Sequence, residues 1–100
     1  MKAPLINSKS KFLEVLHTCL SEARQHAAAD PDNSFQKSIL AQLEFMARCV
    51  TENRVPTLSD LDRINVGVIA VRTLEDTEPV YASQLSELDY AFRRWQTLAE

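Results

Sequence analysis

One hundred residues, 45% hydrophobic and 25% charged, have the composition of a chain that folds as one domain rather than a disordered one. A net charge of −3 without any block of Lys or Arg lacks the positive footprint that nucleic-acid phosphates require. A single Gly and four Pro leave little turn chemistry for a many-stranded protein, so the expected fold class is all-α.

The opening "MKAPLINSKSKF" has no apolar core of a signal peptide, and no stretch of the chain is long and apolar enough to span a bilayer. Residues 1–7 are expected as a flexible N-terminal tail on one domain covering 1–100, in the cytoplasm and without a membrane partner. Helix one, about 8–28, places Phe12, Leu13, Leu16, Cys19, Leu20, Ala23 and Ala27 on one arc at helical spacing. "ADPDN" stops it, because Pro31 biases its predecessor out of the α region, and Asn33 or Ser34 can cap the second helix. Helix two, about 34–52, is expected to bury Phe35, Ile39, Leu43, Met46 and Val50, with Phe45 off this stripe.

Helix three, about 59–74, is ambiguous by composition, since "INVGVIAV" is rich in β-branched residues. Ser59 and Asp62 form a signature like a capping box, and Leu61, Ile64, Val68 and Val71 follow at helical spacing. Gly67 and Ala70 make a small-residue side, and Val66 and Ile69 a second apolar strip. Helix four, about 77–99, starts at Thr77 as N-cap with Pro79 in its first turn. Tyr81, Leu85, Leu88, Phe92 and Trp95 recur as a bundle seam, and Tyr90 points away from it. The architecture is a compact bundle of four helices.

Catalytic and metal signatures are missing. His17 and Cys19 diverge by about 200° on a helix, and His17 and His26 have no recognised metal spacing. Cys19 and Cys49 form no CxxC pair. In a helical hairpin they would lie about 10 Å apart along the axis, whereas a disulfide needs Cα atoms within about 7 Å. Glu75, Asp76 and Glu78 sit at a loop and a helix start, where solvation keeps carboxylates ionised and the helix dipole accounts for part of their role. No Gly-rich phosphate loop is present. The expectation is therefore no enzyme, no catalytic residue, no metal and no cofactor.

The stretch "LSDLDRINVGVIAVRTLEDTEPVYASQLSELDYAF" resembles the small helical immunity proteins that neutralise type VI secretion toxins, closest to the group acting on NAD(P)+ glycohydrolase effectors. Leu61, the run Gly67-Val68-Ile69-Ala70-Val71, the acidic turn Glu75-Asp76-Thr77-Glu78-Pro79 and Tyr90 carry the likeness, which is clearest over residues 57–93. It implies an all-helical antitoxin in interbacterial competition that binds a cognate toxin domain and blocks its active site. Glu75, Asp76, Glu78 and Tyr90, with Val66 and Ile69, are the expected toxin-binding residues. A secretion chaperone or adaptor that holds an effector without inhibiting it is the alternative. Self-association of the free protein is left open.

Overall fold

The computed structural model describes residues 6–100. It is all-α, with helix α1 at Lys9–Ala29, α2 at Ser34–Thr51, α3 at Leu58–Asp62, α4 at Val66–Thr73, α5 at Pro79–Phe92 and a 3₁₀ turn at Trp95–Thr97. α1 packs against α2 and α5, and α4 against α5 and α2, so the four-helix arrangement stands, with the third helix divided into α3 and α4.

α1 starts where Ser8 Oγ accepts from the Lys11 amide at 3.1 Å, and its stripe of Phe12, Val15, Leu16, Cys19, Leu20 and Ala23 is buried. The side-chain oxygen of Asn33 accepts from the amides of Phe35 and Gln36, which starts α2 as expected. α2 is rotated slightly from the expected stripe: Phe35 is 53% exposed, while Gln36 and Gln42 turn inward beside Ile39, Leu43, Met46 and Cys49. Its end is a Schellman motif. Asn53 adopts φ 53°, the Arg54 amide donates to the Cys49 carbonyl and the Asn53 amide to that of Val50.

The capping box lies two residues earlier than Ser59 and Asp62. Thr57 Oγ1 accepts from the Asp60 amide, and Asp60 Oδ2 from the Thr57 amide, both at 3.0 Å. α3 then stops, and the cause is remote in sequence. The buried Gln42 amide grips Asn65 twice, donating to Asn65 Oδ1 at 2.6 Å and accepting from the Asn65 N–H at 2.8 Å. Arg93 Nη2 donates to the Ile64 carbonyl at 2.8 Å. Backbone groups that would have continued one helix are thereby satisfied by side chains from α2 and the end of α5.

The break shifts the helical phase of α4. Val66, Ile69 and Ala70 are buried at 0%, 9% and 0% exposure, whereas Val68 and Val71 are 51% and 53% exposed. α5 starts at Pro79 with Glu78, not Thr77, in the N-cap position and no side-chain cap bond. Its seam of Tyr81, Leu85, Leu88 and Phe92 is buried and continues through Trp95, although the α-helix ends at Phe92 rather than near residue 99. The tail instead turns to meet the start of α1: the Lys9 amide donates to the Ala99 carbonyl at 2.7 Å, and Trp95 packs on Phe12 with ring centroids 4.9 Å apart. Ile6, expected within a flexible tail, is fully buried, and residues 1–5 of that expected tail lie outside the described residues. The radius of gyration, 12.9 Å, matches the about 13 Å of a compact 100-residue fold.

Candidate protein-binding surface

α4 and α5 run antiparallel and close together. The contact is possible because Gly67 has no side chain: a Cβ there would lie 3.1 Å from Asp89 Oδ2. That oxygen accepts from the Gly67 amide at 2.9 Å, and Asp89 Oδ1 accepts from Arg93 Nε at 3.0 Å. Asp89 on α5 thus caps the start of α4, a role that Asn65 cannot fill because its side chain is held by Gln42.

Above this junction lies an open, largely apolar groove of about 440 Å³, lined by Gly67, Val68, Val71, Arg72, Ser86, Asp89, Tyr90 and Arg93. Tyr90 is 62% exposed, and the Arg94 guanidinium lies 4.7 Å from its ring centroid. A guanidinium over an aromatic face is attracted to it by about 0.5–1 kcal/mol at an exposed site. Three large exposed apolar side chains, Val68, Val71 and Tyr90, therefore share one strip with arginines at its rim.

The expected binding residues divide into four groups. Tyr90 is on this surface. Glu75 and Asp76 are exposed in the turn after α4, at the other end of the α4/α5 pair, about 16 Å along the axis from Tyr90 at 1.5 Å per residue. Glu78 faces the opposite side, where its Oε1 lies 3.2 Å from His26 Nε2 of α1. Val66 and Ile69 belong to the core and offer no strip to a partner; one helical face over, Val68 and Val71 do. Helical spacing alone assigned both pairs, Val66/Ile69 and Val68/Val71, to apolar strips, and only the α3–α4 break decides which strip faces out.

The remaining reactive groups are quiet. Cys19 is buried, its thiol pushed up to about 12 by burial first and by the Glu22 charge second. Cys49 is likewise buried and its thiol raised, chiefly by burial. Neither is poised as a nucleophile, which requires the thiolate. Desolvation also raises the Tyr81 phenol, with Cys19, Glu22 and Glu78 adding to the effect.

A model of the protein family Tsi6 matches residues 11–94. The chain belongs to the Tsi6 family. Tsi6 is a family of type VI secretion immunity proteins and not a family of enzymes, and membership implies a toxin as binding partner. The Tsi6 match covers α2 to α5 and all but the first two residues of α1, and thus all of the α4/α5 groove. No curated protein and no solved structure matches the chain. No helix among the described residues of this Tsi6 family member is long and apolar enough to cross a membrane.

Proposed function

We propose that the chain binds a secreted antibacterial toxin domain that acts on nucleotides, an NAD(P)+ glycohydrolase by the sequence resemblance, and occludes its active site in the bacterial cytoplasm. Family membership supports the immunity role, and the exposed Val68–Val71–Tyr90 strip carries the choice of surface. Exposed aromatics flanked by apolar side chains are the usual anchors of protein interfaces, and Arg is enriched beside them. The charges complete the match. Glu75 and Asp76 complement the cationic groups that a nucleotide-binding site needs for phosphates, and the arginine rim complements carboxylates, on which most glycoside hydrolysis relies.

Surface plasmon resonance against the toxin domain tests this. Tyr90→Ala should raise the dissociation rate about thirtyfold, the effect of a 2 kcal/mol anchor. The Glu75→Gln/Asp76→Asn pair should mainly slow association and flatten its salt dependence. Unchanged kinetics in both variants would move the interface away from this surface. Tight binding that leaves the toxin fully active would favour the adaptor role instead.

A further inference from the structure

On the face away from the α4/α5 groove, α1 and the start of α5 border an open groove of about 890 Å³ whose walls include Glu22, Glu78, Tyr81 and His17. Glu22 and His26 are one helical turn apart on α1 and so project from the same face. Glu78, the N-cap residue of α5, meets them from the other side. One donor atom from each of Glu22, His26 and Glu78 lies within 4.8 Å of the other two, and all three residues are partly buried.

We propose that Glu22, His26 and Glu78 form a site for a divalent transition metal, zinc above all, which pins the N-terminus of α5 to α1. The geometry is close to what the ion needs. Tetrahedral zinc with bonds of about 2.0–2.2 Å holds its ligands about 3.4 Å apart. His26 Nε2 and Glu78 Oε1 are already 3.2 Å apart, and Glu22 closes the third corner by side-chain rotation. Two carboxylates balance the dication, and the imidazole selects zinc over magnesium or calcium, which demand six or more oxygens.

Two further observations point to a ligand. His26 Nε2 is buried and, despite its 3.2 Å approach to Glu78, makes no aligned hydrogen bond among the described residues. The Tyr81 hydroxyl also lacks a partner among the described residues, in a side chain only 3% exposed that lines the same groove and stacks on the His26 ring at 5.4 Å. Buried polar groups are rarely left unpaired, and a water on the metal's open position would satisfy this hydroxyl. A simple His26–Glu78 ion pair leaves both Glu22 and the Tyr81 hydroxyl without a role.

The test is zinc titration of the metal-free chain by calorimetry, with thermal melts alongside. One zinc per chain should bind, and zinc at a hundredfold above its dissociation constant should raise Tm by roughly 10–20 °C. Glu22→Gln and Glu78→Gln should each weaken zinc binding at least about tenfold while melting near wild type without metal. His17→Gln, on the same groove wall, should bind as wild type, and magnesium should give no shift. In the unaltered protein, nitrogen NMR should show the His26 Nε2 resonance moving on zinc addition. Failure of wild type to bind, equal binding by the two Gln variants, or movement of His17 alone would overturn the site.

Discussion

Replacing Asp89 by Ala tests how the α4/α5 surface is built. The carboxylate accepts from the Gly67 amide at 2.9 Å and from Arg93 Nε at 3.0 Å, and its side chain is only 13% exposed. The amide bond to a charged acceptor is of the kind worth about 1.5–3 kcal/mol. The Arg93 pair adds only about 0.3–0.5 kcal/mol, since the arginine is 43% exposed and the pair is of the i,i+4 type. Asp89→Ala should therefore lower the unfolding free energy by about 2–3 kcal/mol, and Asp89→Asn, which keeps one acceptor, by about half of that. Gly67→Ala supplies the internal control. In wild type the added Cβ lies 3.1 Å from an Asp89 oxygen that is held on both sides, so it should destabilise despite the better helix propensity of Ala. In the Asp89→Ala background the obstacle is gone, and the same change should stabilise by up to about 1 kcal/mol. Urea unfolding of the four proteins, with unchanged m-values, measures the cycle. A loss below about 0.5 kcal/mol for Asp89→Ala, or additive effects of the two changes, would refute the capping role.

Two other perturbations probe the scaffold. Phe92→Ala removes a ring that is 1% exposed and packed with Phe12 and Phe45, and should cost about 3–5 kcal/mol in the same urea assay. The Asp60 carboxylate is held below its ordinary 3.8, first by its hydrogen bond with the Thr57 backbone. A depressed folded-state value contributes stability that is present above pH 3.8 and is lost as pH falls through that lower value. Asp60→Asn should thus be less stable than wild type at pH 7, with the gap closing below pH 3.8; a gap that is constant down to about pH 2.5 would contradict the capping box.

The parts of the fold written in local periodicity were legible in the sequence. Tyr81, Leu85, Leu88, Phe92 and Trp95 show this most plainly, because a seam at alternating steps of four and three needs no partner to be recognised. The ends and faces of helices were less so. Thr57/Asp60 and Ser59/Asp62 both satisfy the same cap spacing, and the structure uses the pair that directly follows Pro56. "DRINVG" contains nothing that must stop a helix; the stop comes from Gln42 and Arg93, which lie far along the chain. Because that break resets the helical phase, it also decided the candidate site. Tyr90, on the regular α5, was placed outward correctly, whereas Val66 and Ile69, just past the break, were not. The Glu22–His26 spacing was visible on α1, but its third donor comes from the start of α5 and only folding brings it near.

Inhibition by stoichiometric binding is tested most directly by titrating the purified protein into the proposed partner, an NAD(P)+ glycohydrolase toxin domain, while following NAD+ consumption. Activity should fall linearly to zero at one chain per toxin, and Tyr90→Ala should blunt the titration at concentrations where wild type saturates. Undiminished NAD+ consumption by toxin that carries a full equivalent of bound protein would contradict the proposed inhibition.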